Sequence, residues 1–340
     1  MNKKFRLILL LVGIGIFTYL VIDFGVENII VNLHKTGWYF IPVITIWAFV
    51  YLFNSFAWKL IIGNNNNIPF HKIISITISG FALNYITPSI AVGGEPYRIA
   101  ELKNLIGTSR AVSVTLLYTM IHILSSFLFW MIIILLALAS LALSPITKII
   151  LISVLLLFSI VVYLIIMRHK KGIVNSLLNV TLKIPFVKKL TAPLSSKVTS
   201  IQKVDYYITE LYLNRRRKFY QALSWEILAR IIGSLENLFI LKAIGIDITF
   251  PEALYISAVS TFIINLFFFM PMELGSREGG LALVLGTIKI SSALGIYVGL
   301  VNRIRELFWI LIGLILIALS GKKLNKELLK EIEYEKSNSV

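Results

Sequence analysis

The sequence contains no cysteine. That excludes disulfides, thiolate nucleophiles and any Cys-ligated metal centre. Its four histidines, His34, His71, His122 and His169, show no metal-ligand spacing, and each reads as structural. There is no G-x-x-x-x-G-K-[ST] segment, hence no P-loop with which to couple nucleotide hydrolysis. A nucleophile elbow and a soluble domain with paired catalytic carboxylates are missing as well, so the chain reads as a non-enzyme with no cofactor and no bound metal. Charge is scarce too: 15% of the 340 residues are charged and only 17 are acidic.

Apolar surface is what the chain has in excess. Apolar residues make up 57% of it, and the mean hydropathy is +0.85, against the roughly 45–50% apolar share of an ordinary globular domain. The reading is an all-α, polytopic integral membrane protein. Its 33 basic residues outnumber the acidic ones and give a net charge of +16. Because long apolar runs confine them to connections, anionic lipid head groups fit them better than nucleic acid.

A bilayer core of about 30 Å needs about 20 apolar helical residues, since lipid offers backbone groups no partners. By that measure Leu7 to Ile22 is a first, uncleaved span. Further spans are Trp38 to Ile62, Ala111 to Leu143, Ile149 to Met167, Phe219 to Gly245 and Gly295 to Ser320. The stretch Arg168 to Lys218 holds twelve Lys and Arg against Asp205 and Glu210. It belongs in the cytoplasm by the positive-inside rule, as do both termini, which sets the protein in the cell membrane with cytoplasmic ends.

Two apolar stretches, 73–110 and 251–290, are interrupted by Pro, Gly and Glu. With the basic loop inside, parity requires each to return to its starting side: the first from the cytoplasm, the second from outside. Each is expected to be a re-entrant helical hairpin. Such backbone survives at membrane depth only when packed in protein or lining a polar cavity.

The two breaks resemble each other. Pro88 and Pro271 are each followed seven residues later by Glu, Glu95 and Glu278, at an offset of 183. Each carries an Asn before the Pro (Asn84; Asn265) and glycines before the Glu (Gly93 and Gly94; Gly275). The organisation is then an N-terminal span and external turn (1–37), repeat 1 (38–143), an extra span with the basic loop (144–218), repeat 2 (219–320) and a charged tail (321–340). Opposed repeats with paired Gly/Pro-interrupted segments point to a secondary transporter whose site lies where they meet.

Within the breaks, Pro96 suits the first turn of a new helix, and Pro88, Pro96, Pro271 and Gly275 serve as hinges. A helix starting at Pro96 presents free N–H groups to an anion, unless Glu95 caps it. Arg98 either pairs with Glu95 or receives the ligand. Arg277 and Arg303 are candidates for anion binding, with Arg303 and Glu306 on one helical face. Glu226 and Arg230, four apart, read as an intramembrane ion pair.

At these residues the sequence resembles the flippase-like family, also called the lysylphosphatidylglycerol synthase transmembrane region. The likeness rests on Asn84-Tyr85 with Pro88, on Gly93-Gly94-Glu95-Pro96 with Arg98, and on Pro271, Gly275, Glu278 and Arg303 ahead of Gly313. It covers roughly Trp38 to Ser320. The resemblance implies movement of a lipid between leaflets, the best-known members joining such a domain to a soluble aminoacyl transferase that has no counterpart here. Many relatives carry an Arg near the position of Tyr118 or His122, which this chain replaces. The expected function is a flippase or transporter of an anionic lipid or lipid-linked phosphate, with Asn84, Gly93, Gly94, Glu95, Arg98, Arg277, Glu278 and Arg303 at the site. The alternative is a non-transporting scaffold for an envelope-lipid or glycolipid synthesis enzyme. Membrane lipids are the expected partners, with a lipid-synthesis enzyme or a second copy beside them.

Overall fold

The computed structural model describes residues 22, 26–63, 68–86, 93–168, 215–267, 273 and 275–337. The first span, Pro88, Pro271 and most of the basic loop lie outside the described residues. Regular structure within them is entirely helical. In chain order it comprises α1 (Val26–Thr36), a 3-10 turn (Gly37–Tyr39), α2 (Phe40–Ile62), α3 (Phe70–Ile86), α4 (Gly94–Ile106), α5 (Thr108–Ser140) and α6 (Pro145–Arg168). Then follow α7 (Arg216–Ser234), α8 (Glu236–Lys242), α9 (Phe250–Leu266), α10 (Ser276–Thr287) and α11 (Leu294–Ser337).

Local chemistry sets these boundaries. The span expected over Phe219 to Gly245 is two helices with a hitch at Leu235, whose N–H turns back to the Ile232 carbonyl at 3.1 Å. α9 opens on a capping box: the Thr249 N–H donates to Glu252 Oε2 at 2.7 Å, and the Glu252 N–H donates to Thr249 Oγ1 at 3.4 Å. Pro251 sits in that first turn, where its missing N–H is no loss.

Helix length separates two kinds of element. α5 has 33 residues and α11 has 44. The run Ile30–Ile62 and α5 meet the length and composition of a membrane crossing. By contrast α3 and α9 have 17 residues each, α4 has 13 and α10 has 12. At 1.5 Å per residue these four run about 18–25 Å, short of the roughly 30 Å hydrocarbon layer. The short helices pair in sequence, α3 with α4 and α9 with α10, at the two stretches where the sequence is interrupted.

The packing has an internal correspondence. α3 lies against α11, and α9 against α5; α4 lies against α5, and α10 against α11. α2 packs along α7. Exchanging α2 with α7 and α8, α3 with α9, α4 with α10 and α5 with α11 interchanges the first two relations, interchanges the next two, and returns the α2–α7 contact to itself.

Two cores result. One gathers Trp58, Ile76, Tyr97, Tyr118 and Ile310, and the other Trp130, Tyr255, Leu281, Val284 and Val298. Both α5 and α11 run through the pair of them, so each long helix joins its own short helices to those of the opposite set. Polarity is reversed relative to a water-soluble protein: Leu135, Leu156, Leu283 and Leu319 are more than half exposed, while Arg98, Arg277, Arg305 and Glu226 are each 5% exposed or less. An apolar exterior over buried ions fits a hydrocarbon surround.

Candidate functional site

The buried ions form three groups. The first is at the α3–α4 break. Asn84, in the last turn of α3, uses both ends of its amide: Oδ1 accepts the Gly94 N–H at 2.7 Å, and Nδ2 donates to Glu95 Oε1 at 3.2 Å. One side chain thus ties the end of α3 to the start of α4. Gly94 is required by close approach, because a Cβ there would meet the Gly80 carbonyl and lie 2.5 Å from Asn84 Oδ1. Pro96 occupies the first turn as expected, and is exposed.

Arg98 follows one turn later on α4 and is 2% exposed. Its guanidinium carbon lies over Phe81 at 4.8 Å, Tyr118 at 5.2 Å and Trp58 at 5.7 Å, an aromatic enclosure from α3, α5 and α2. Its only carboxylate neighbour is Glu95, at 3.4 Å from Nη1, while Nε and Nη2 have no hydrogen-bond partner among the described residues. Both bare donors face Gly80, where a Cβ would fall 2.6 Å from Nε. The glycine on α3 makes room for the cation.

The second group lies between α5 and α7. His122 Nδ1 is 2.7 Å from Glu226 Oε2, a buried carboxylate, and Tyr118 lies beside the same acid. Arg230 donates from Nε to Ser125 Oγ at 2.9 Å and from Nη2 to the His122 carbonyl at 2.8 Å. This corrects the expected Glu226 and Arg230 ion pair. Although the two share a helical face, both side chains reach across to α5, and His122 stands between them as the acid's direct partner.

The third group is an ionic lattice at the α9–α10 break. Glu273, whose φ of 57° lies in the left-handed region, accepts from both Nε and Nη2 of Arg277 through Oε2. Arg277 Nη1 reaches Glu306 Oε1 on α11 at 2.6 Å. Arg305, its neighbour on α11, extends the chain to Glu236 of α8, Nε to Oε2 at 3.3 Å, and its guanidinium covers the Trp47 ring at 3.7 Å. Trp47 in turn donates to Glu236 Oε2 at 2.7 Å. Tyr85 of α3 and Tyr51 of α2 border this lattice.

Beside it, Glu278 folds back on the start of α10 and accepts the Gly275 N–H at 3.0 Å. Gly275 has φ 76°, a conformation suited to glycine at a helix start. Arg303 reaches Glu278 Oε1 at 2.8 Å, so the expected Arg303 and Glu306 facing does not become a contact: each looks to a different partner on the α10 side. Of the three arginines expected to hold an anion, Arg277 and Arg303 are engaged by carboxylates, and only Arg98 is buried with two donors that meet neither a hydrogen-bond partner nor a carboxylate among the described residues. Gly93 is buried in ordinary right-handed geometry at the start of α4.

Several members of these groups escaped the sequence reading. Trp47, Trp58, Gly80 and Phe81 carried no signal, being apolar residues in apolar runs. Glu236 did carry one: an acid within a hydrophobic span demands a partner.

No cluster of three or more His, Asp or Glu able to hold an ion occurs among the described residues. No curated protein and no solved structure matches the chain. One family profile does, that of the lysylphosphatidylglycerol synthase transmembrane region, over residues 6–313. A match of that length, on an all-helical chain with an apolar exterior, settles the class: the protein is an α-helical membrane protein and belongs to the lysylphosphatidylglycerol synthase transmembrane-region family.

Proposed function

We propose that the protein moves an anionic lipid, or a lipid-linked phosphate, between the leaflets of the cell membrane. The observation that carries this reading is Arg98. A guanidinium at 2% exposure holds two N–H donors with no partner among the described residues. Each unsatisfied buried donor costs about 1–3 kcal/mol, and more where charged. Cation–π contact with three rings, about 0.5–2 kcal/mol each, offsets part of that and leaves the charge available. A phosphate or phosphodiester oxygen would complete the set, and the acyl chains would stay in hydrocarbon.

In this reading α3–α4 and α9–α10 are re-entrant hairpins dipping from opposite faces, and the two sets of helices form an inverted repeat. A head group would pass between them as one set rocks against the other. Asn84, Gly94 and Glu95 position the first hairpin; Glu278 and Arg303 do so for the second. No bond is made or broken in such a cycle, and both termini lie in the cytoplasm.

The test is leaflet exchange of fluorescent phosphatidylglycerol in liposomes holding the purified protein. Arg98→Gln, of similar shape but neutral, is expected to lower exchange at least tenfold while retaining the folded state. Undiminished exchange in folded Arg98→Gln protein refutes the role given to this side chain. An absence of exchange in the native protein favours a scaffold for a lipid-synthesis enzyme.

A further inference from the structure

The lattice around Arg277 is out of electrical balance. Among the described residues, Glu236, Glu273 and Glu306 contribute three carboxylates, and Arg277 and Arg305 two guanidiniums, leaving one negative charge in excess. The adjoining Glu278 and Arg303 neutralise each other and do not correct it. Tyr51 and Tyr85, the titratable groups that α2 and α3 turn toward the lattice, are neutral as phenols. A net charge buried at membrane depth is strongly unfavourable, and the remedy is a bound proton or a cation. The acids do not converge on a common point, and no metal-holding cluster exists among the described residues, which leaves the proton.

Geometry singles out Glu273. Its side chain is 31% exposed, against 11% for Glu306 and 9% for Glu236. It stands at the helix break on backbone with φ 57°, a conformation rare for a residue with a Cβ. It also occupies the Nε and Nη2 edge of Arg277 with a single oxygen. That edge is the one a phosphate grips with two oxygens. Glu273 stands where a head group would bind.

We propose that Glu273 is an internal plug which an anionic head group displaces from Arg277, and that the released carboxylate takes up one proton as it leaves. The balance is simple. With one proton aboard, the lattice is neutral. A singly charged head group replaces Glu273 on Arg277 and adds one negative charge; a second proton, bound to the freed Glu273 oxygen, restores neutrality. Lipid and proton then travel together, one for one. The inference rests on the lipid-moving role proposed above and adds its energy source, an electroneutral coupling to the proton gradient.

Two measurements test it. In liposomes with fluorescent phosphatidylglycerol, a pH difference of one unit is expected to give a tenfold leaflet asymmetry of the probe at equilibrium. A potential of 100 mV, which would skew an uncoupled anion about fiftyfold, is expected to give none. In detergent, affinity for dihexanoyl phosphatidylglycerol is expected to rise about tenfold for each unit by which pH falls between 8 and 6, through uptake of one proton. Glu273→Gln removes the group that takes up the second proton, so head-group binding should lose its pH dependence.

Leaflet exchange that follows the potential and ignores the pH gradient overturns the coupling while leaving the transport role standing. PH-independent binding in the native protein does the same. If neither exchange nor binding occurs, the transport role itself fails.

Discussion

Replacing Gly94 by alanine tests the geometry of the first hairpin. In an ordinary helix this exchange stabilises by about 1 kcal/mol, because glycine loses more backbone freedom on folding. Here the new methyl would press on the Gly80 carbonyl and lie 2.5 Å from Asn84 Oδ1. The carbonyl is helix backbone and cannot rotate away. Overpacking of this kind costs about 1–3 kcal/mol. Forcing Asn84 aside also breaks its bond from the Gly94 N–H, about 1 kcal/mol more. Against the propensity gain, the net expectation is a loss of about 1–3 kcal/mol. Gly279 supplies the control, lying in α10 with nothing within 4 Å of its would-be Cβ. Thermal unfolding in detergent, followed by tryptophan fluorescence, should show Gly94→Ala melting below the native protein and Gly279→Ala at or above it. Equal melting temperatures for the two variants would refute the close approach of α4 to α3.

Three further perturbations address the charged groups and the topology. Arg305→Met strands Glu236, whereas Glu306 keeps Arg277, and loss of the buried partner should cost about 3–5 kcal/mol in chemical denaturation; adding Glu236→Gln should recover part of it, and no recovery would mean that the two are not coupled. His122→Ala leaves Glu226 without its direct partner and should melt well below native, whereas His122→Arg keeps a donor there and should melt close to native; equal loss in both variants would show that the ring's shape matters rather than its bond. The absence of native cysteine permits clean single-cysteine labelling: Asn104→Cys should react from the same side as the C-terminal tail, and Lys289→Cys from the same side as Asp247→Cys. Either result reversed means that the corresponding short helices cross the membrane.

The helical class and the positions of both breaks were legible because each depends on local sequence. Apolar runs of about 20 residues demand helix in lipid, and Pro and Gly beside Glu interrupt them. The tie from Asn84 to the next helix was foreshadowed by the Asn-Tyr and Gly-Gly-Glu-Pro segments, which lie close in the chain. Partners across helices were not legible. Helical spacing placed Glu226 beside Arg230 and Arg303 beside Glu306, yet each of the four side chains reaches a different helix. Spacing within one helix says which residues share a face. It does not say what the face meets, and in a low-dielectric surround a hydrogen-bonding or charged partner on a neighbouring helix outweighs the few tenths of a kcal/mol of an exposed i,i+4 pair.

The offset that relates the two breaks also relates the long helices that follow them. Carried along α5, it takes His122 to position 305, which is Arg305. Both lie inside their helices, and both reach an acid on α7 or α8: Glu226 for His122, Glu236 for Arg305. The equivalence is geometric but not electrical, since a guanidinium is permanently charged and an imidazole carries charge only when protonated. The first half therefore keeps Arg98 largely unpaired within its aromatic enclosure, while the second consumes both of its lattice cations in carboxylates. Two related hairpins that held an anion equally well would give it no reason to move on. In the transport cycle proposed above, unequal hold, open at Arg98 and plugged at Arg277, would let a head group pass from one to the other when the plug is neutralised.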